Sequence, residues 1–164
     1  MRLGKDAVES TLAGELLPVA ESQGPADVEP VVDDLMILYI EDNVANLRLM
    51  ESIMELRPTV TLLTAMRGAL GFEIARDQRP DLILVDLHLP DLDGRDVLRM
   101  LRDEPLTSEL PVAVVSADAT PARIAEVRTL GADYYLTKPI DIHELIAIVD
   151  HHLEHRQAAH GEPG

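Results

Sequence analysis

The stretch Asp81-Leu-Ile-Leu-Val-Asp86-Leu-His-Leu-Pro-Asp-Leu-Asp-Gly94 decides the fold. A short apolar run ended by a carboxylate reads as a strand covered on both faces. Pro90, Asp91, Asp93 and Gly94 then mark a turn-rich loop. Asp86 is thus carried by a buried strand to the edge of a sheet. Similar runs lie on either side. Leu35–Ile40 ends in Glu41-Asp42, Val112–Ser116 runs into Ala117, and Tyr134–Thr137 ends in Lys138-Pro139. Val60–Thr64 completes a set of five predicted strands.

Helical patterns separate them. Val44, Leu47, Met50 and Met54 recur at spacings of three and four, and Arg57-Pro58 stops that helix. A second helix is expected over about Gly68–Asp77 and a third over about Arg95–Asp103. A fourth should start near Pro121 and stop at Gly131. The last carries Ile142, Leu145, Ile146, Val149 and Leu153 on one stripe, with Asp141 and Glu144 spaced as a capping box. Strands alternating with helices predict an α/β, doubly wound parallel sheet. Ligands of such sheets bind beyond the carboxyl ends of the strands. Glu41, Asp42, Asp86, Ser116 and Lys138 all fall there.

Composition narrows the function. The chain has 164 residues, 46% of them hydrophobic, enough for one domain with flanking segments. Net charge is −16, which disfavours direct nucleic-acid binding. No apolar run approaches membrane-spanning length, and no signal-peptide pattern opens the chain. There is no cysteine, so disulfides and thiolate metal sites are excluded, and a cytoplasmic location is expected. Residues 1–34 carry Gly14, Pro18, Gly24, Pro25 and Pro30 among recurrent acids. They read as a flexible acidic leader or linker, with room for a short helix around Ala7–Leu17. Residues 35–153 read as the folded domain and 154–164 as a flexible tail.

Three carboxylates gathered at one edge repel each other. One pair at about 4 Å costs roughly 4 kcal/mol at an effective dielectric of 20. Protonation or a cation must relieve this. Oxygen donors without histidine or thiolate favour Mg²⁺. Asp42 and Asp86 are the expected direct ligands, with the backbone carbonyl of His88 as a third and Glu41 acting through water. A carboxylate can also attack phosphorus and form an acyl phosphate. Lys138 would then neutralise charge on the transferred group, Ser116 could bond a phosphoryl oxygen, and a cis Lys138–Pro139 bond would aim the amine inward. Taken singly, each residue has a plainer role: a strand-end Asp is usually a turn or cap, a Ser a strand end, a Lys a solvated charge. Their shared placement carries the functional reading.

This constellation resembles the receiver domain of two-component response regulators, the chemotaxis response-regulator fold, over Leu35–Leu153. Glu41-Asp42 matches the family's acidic pair and Asp86 its phosphoacceptor. Leu89-Pro90 and Gly94 match the following loop, Ser116-Ala117 the hydroxyl–small pair, and Lys138-Pro139 the lysine and cis-proline. Tyr135 matches the aromatic switch position. The resemblance implies a flavodoxin-like (βα)5 sheet ordered 2-1-3-4-5. It implies phosphotransfer to Asp86 from a histidine kinase or histidine phosphotransfer protein, with slow self-dephosphorylation rather than multiple-turnover enzyme activity. Ser116 and Tyr135 would switch the surface within Pro121–Leu153 that meets a downstream protein or an attached kinase module. His88 and Asp118 would flank the attacking water and set the lifetime of the phosphorylated form. Glu41 for Asp and Ser116 for Thr are mild departures.

Tyr-Ile-Glu-Asp-Asn and Val-Ser-Ala-Asp-Ala-Thr look like receivers of hybrid sensor kinases. Ser10–Pro18 is similar to the last strand of a kinase ATP-binding domain. The chain could therefore be the receiver portion of such a kinase. A protein-binding module on the same fold that never takes phosphate is an alternative of another class. Asp91 occupies the glycine position of a cobalamin loop, and His88 the general-acid position of an aspartate phosphohydrolase, so both readings fail. His151, His152 and His155 read as an exposed helical turn. Tyr39 and Phe72 read as packing.

Overall fold

The computed structural model describes residues 35–161. The expected leader and its short helix lie outside the described residues. The element order is β1 (Leu35–Ile40), α1 (Val44–Met54), β2 (Val60–Ala65), α2 (Gly68–Gln78), β3 (Leu82–Asp86), α3 (Gly94–Asp103), β4 (Val112–Ser116), α4 (Pro121–Thr129), β5 (Tyr134–Thr137) and α5 (Ile142–Gly161). The five strands form one parallel sheet in the order β2-β1-β3-β4-β5. Strand order reverses between β1 and β3, which opens the crevice where ligands bind in such sheets.

Alternation along the strands builds two cores. Leu35, Ile37 and Tyr39 of β1 face α1 and α5, with Leu82 and Leu84 of β3 and Ala113 and Val115 of β4. Leu38 and Ile40 face the other way, toward α2, α3 and α4, with Ile83, Val85, Val112 and Val114. Every residue of β3 and β4 is buried. This is why those strands read as unbroken apolar runs instead of alternating ones.

The helix ends follow local chemistry. Asn43 accepts from the Asn46 amide to cap α1, and Thr120 accepts from the Arg123 amide ahead of Pro121 in α4. Asp141 accepts from the amides of His143 and Glu144 at the start of α5. Gly131 follows α4 with φ of 111°, and its carbonyl accepts twice from the Arg102 guanidinium, at 3.1 and 2.8 Å. At α2 the residue before the helix, Arg67, supplies no side-chain cap. Both carboxylate oxygens of Asp91 take over instead, accepting from Gly68 N at 2.8 Å and Ala69 N at 3.0 Å. The loop after β3 is thereby fastened to α2.

The last helix differs from expectation. The sequence reading ends it near Leu153 and leaves 154–164 as a tail, whereas α5 continues to Gly161. Glu154, Arg156, Gln157, Ala158 and Ala159 are good helix formers with no breaker among them. Arg156 Nη1 also donates to Asp81 Oδ1 at 2.7 Å, pinning this extra length to the start of β3. The same Asp81 accepts from the Met36 amide at 2.8 Å.

Within the histidine turn, His152 is half-buried and lies 3.1 Å from the Tyr134 hydroxyl through Nε2. Burial pushes its pKa below the ordinary value of 6.5, as do His151 and His155, against Asp81 and Asp133. The unfolded chain therefore binds a proton here more readily than the folded one, and stability falls as pH drops through 6.5. We expect the urea midpoint to fall between about pH 8 and pH 5.5. His152→Gln should flatten part of that slope.

Candidate functional site

The site is built at the carboxyl ends of β1, β3, β4 and β5. Asp86, the last residue of β3, is buried and accepts from His88 N at 3.1 Å and Lys138 Nζ at 2.9 Å. Gly94 packs tightly behind it. Its amide donates to Leu87 O, and a Cβ at this position would lie 2.3 Å from Asp86 O. Any larger residue would push the strand end that carries Asp86.

Glu41 directly follows β1 and is only 1% exposed. Its Oε1 accepts from Lys138 Nζ at 2.7 Å, Tyr39 Oη at 2.9 Å and Asn46 Nδ2 at 3.1 Å. Its Oε2 accepts from Asn43 N at 3.2 Å. Asp42 beside it is exposed. One carboxylate oxygen from each of Glu41, Asp42 and Asp86 lies within 4.8 Å of the others. This oxygen-only donor set suits a hard divalent cation.

The charges are unevenly partnered. Burial works against ionisation of Glu41, but bonds from Lys138, Tyr39 and Asn43 outweigh it and hold the carboxyl below its ordinary value. Burial raises Asp86, with Glu41 adding to the rise, although Lys138 and the His88 amide pull the other way. Burial alone would lower Lys138, yet its bonds to Glu41 and Asp86 raise it. A single ammonium bridges two carboxylates, and the third faces solvent. The edge therefore keeps excess negative charge that a divalent cation would neutralise, next to a carboxylate able to act as nucleophile.

Ser116 ends β4 and is fully buried. Its hydroxyl accepts from the Asp118 amide at 3.1 Å, and its carbonyl accepts from Lys138 N at 2.9 Å. The Lys138–Pro139 bond is cis. The Tyr135 hydroxyl donates to the backbone carbonyl of Asp118. The Asp118 side chain accepts from Thr120 N at 3.0 Å and Arg123 Nε at 3.4 Å. His88 is exposed and pairs with Asp93 across the loop.

The structure thus gathers Glu41, Asp42, Asp86 and Lys138 at one point, with His88 on the loop after β3 and Ser116, Asp118 and Tyr135 on the neighbouring edge. Two participants escaped the sequence reading. Tyr39, read as packing, and Asn46 both bond Glu41. The signal for Tyr39 was its place two residues before Glu41, which puts both side chains on one face of an extended chain.

The chain matches the response regulator receiver domain over residues 37–150. It belongs to that family. The receiver is 32% identical over 117 residues to the polar-differentiation response regulator DivK of Brucella anthropi, covering 71% of this chain and 94% of that protein. Among solved structures it resembles the receiver domain of the sensor histidine kinase PA1611 of Pseudomonas aeruginosa, with 28% identity and a TM-score of 0.66 over 73% of this chain and 98% of the other. That structure has a magnesium ion in its active-site cleft. The Mn²⁺-bound form of the response regulator Rcp1 is similar at 28% identity, with a TM-score of 0.59 over 71% and 90%. No helix among the described residues of the receiver is long and apolar enough to cross a membrane.

Removing the exposed carboxylate tests the cluster most directly. Asp42→Asn is expected to weaken Mg²⁺ binding at least about tenfold, followed by amide NMR titration, because one of the cluster's three negative charges is lost. The fold should persist, since Asp42 has no part in either core.

Proposed function

We propose that this receiver accepts a phosphoryl group on Asp86 from a histidine kinase or histidine phosphotransfer protein, and that the product changes its α4-β5-α5 surface for a partner. The observation that carries this reading is the Lys138 ammonium held 2.9 Å from Asp86 and 2.7 Å from Glu41, beside three converging carboxylates. The named relative DivK, a response regulator, supports it.

In the transfer, an Asp86 oxygen forms a bond to phosphorus as the phosphorus–nitrogen bond of phosphohistidine breaks. The imidazole leaves with the electron pair. Asp42, Asp86 and the His88 carbonyl would hold Mg²⁺ directly, and Glu41 would hold it through water. When bound, the ion supplies positive charge against the phosphoryl oxygens. Lys138, 2.9 Å from Asp86, would supply a second positive charge. Water later cleaves the oxygen–phosphorus bond and returns aspartate and inorganic phosphate. The cycle is self-modification and reversal, without multiple turnover of a substrate.

The switch follows from where the Ser116 hydroxyl points. The Ser116 hydroxyl is engaged by the Asp118 amide, and Tyr135 holds the carbonyl of the same Asp118. A phosphoryl oxygen accepting from the Ser116 hydroxyl would draw this segment inward and release Tyr135 to follow. The new dianionic group bonds well in only one of the two arrangements. Swinging the population from 1:99 to 99:1 takes about 5.5 kcal/mol of differential stabilisation. Action in the cytoplasm is part of this reading. Likeness to the receiver of a sensor histidine kinase favours a second form of it, in which the partner is an attached kinase module.

Incubation with acetyl phosphate and Mg²⁺ should add about 80 Da to the intact mass through one phosphoryl group. Asp86→Asn should add nothing, and labelling of that variant elsewhere would refute the assignment. Once phosphorylated, His88→Asn and Asp118→Ala should each change the lifetime of the label several-fold. Unchanged decay in both would remove them from the hydrolytic step.

A further inference from the structure

Tyr39 is the largest fully buried side chain of β1, and the partner of its hydroxyl is the Glu41 carboxylate. Three donors meet at one oxygen there: Lys138 Nζ at 2.7 Å, Tyr39 Oη at 2.9 Å and Asn46 Nδ2 at 3.1 Å. Lys138 is the donor that has other work. Its ammonium already divides itself between Glu41 and Asp86. A phosphoryl group on Asp86 brings further anionic oxygens that compete for it.

If Lys138 leaves, Glu41 stays buried at 1% exposure without its strongest donor. A buried carboxylate stripped of a charged partner is costly. Water is poorly placed to substitute at Oε1, the oxygen these three donors share. Glu41 does not line the adjoining cavity, whose walls beyond Tyr39, Asn46 and Lys138 are apolar. Tyr39 and Asn46 are already in place on the same oxygen. Tyr39 is held by the core, and Asn46 by the first turn of α1.

We propose that Tyr39 and Asn46 are positioning residues that keep Glu41 Oε1 satisfied, so that Lys138 can pass from Glu41 to the phosphoryl group on Asp86. This rests on the receiver reading above. It assigns a chemical role to the hydroxyl of a tyrosine whose ring is core. It also predicts that Tyr39 and Lys138 back each other up across Glu41.

Two measurements on the full chain test it. The first is metal-free urea unfolding of wild type, Tyr39→Phe, Lys138→Met and the double variant. Backing-up means that each single change leaves Glu41 one fewer donor, whereas the double leaves only the Asn46 and Asn43 bonds. The double variant's loss in folding equilibrium constant should exceed the product of the single losses about tenfold. A tyrosine serving only to fill space gives losses that multiply within about twofold, and that result overturns the proposal.

The second is the rate of acyl-phosphate formation from acetyl phosphate at saturating Mg²⁺. Tyr39→Phe should be slower by about tenfold, and Asn46→Ala slower by a smaller factor. Because Asn46 is only partly buried, its replacement leaves the core intact and covers the case of a poorly folded Tyr39 variant. Wild-type rates in both variants overturn the proposal. Failure of wild type to take any phosphoryl group overturns the receiver reading instead, while the unfolding cycle is scored without it.

Discussion

One ammonium shared by two buried carboxylates is the interaction on which this edge depends. Lys138 reaches Glu41 and Asp86 from a strand two places removed from β3 in the sheet. Without it, two nearly inaccessible acids would face each other with no charged partner. Such an arrangement does little for stability, because desolvating these groups offsets much of their attraction. It instead leaves a carboxylate that is buried, pushed toward protonation by its surroundings and held ready by a neighbouring cation. Those conditions suit a nucleophile whose product is itself an anion.

The loops around that point are tied to one another and not only to the strands beneath. Asp91 caps α2 from the loop after β3. Two residues on, Asp93 pairs with Arg95, whose guanidinium also reaches Glu126 of α4. Glu126 meets Arg123, and Arg123 meets Asp118. The loop carrying His88 is thus linked through ion pairs to the segment that holds Ser116 and Tyr135. Each pair is partly exposed and weak by itself. Together they join the loop after β3 to the segment after β4.

Much of the fold could be read from the chain. The five strands were legible because a strand covered on both faces leaves an unbroken apolar run, and four of them were placed with the bounds they have. Pro121 and Gly131 marked α4 for equally local reasons. The far end of α5 was missed because the apolar stripe stops at Leu153, while helix propensity and the Arg156–Asp81 contact carry the helix on. The cap of α2 was invisible, since Asp91 lies more than twenty positions along the chain from the amides it meets. Tyr39 was rightly read as packing, but its hydroxyl was passed over because a buried aromatic in a β-strand is nearly always packing alone. Its place two residues before Glu41 was the one local sign that its hydroxyl meets a carboxylate.

The sequence by itself determined which groups stand at strand ends and that these strands run parallel, because burial on both faces and helical connections leave that pattern in the order of apolar residues. Only the tertiary structure decided which oxygen each donor takes: Lys138 divided between Glu41 and Asp86, Ser116 engaged by Asp118, and Tyr39 turned toward Glu41. The reason is one of range. Apolar periodicity is written along the chain, whereas hydrogen bonds of about 3 Å depend on how separate strands are brought into register.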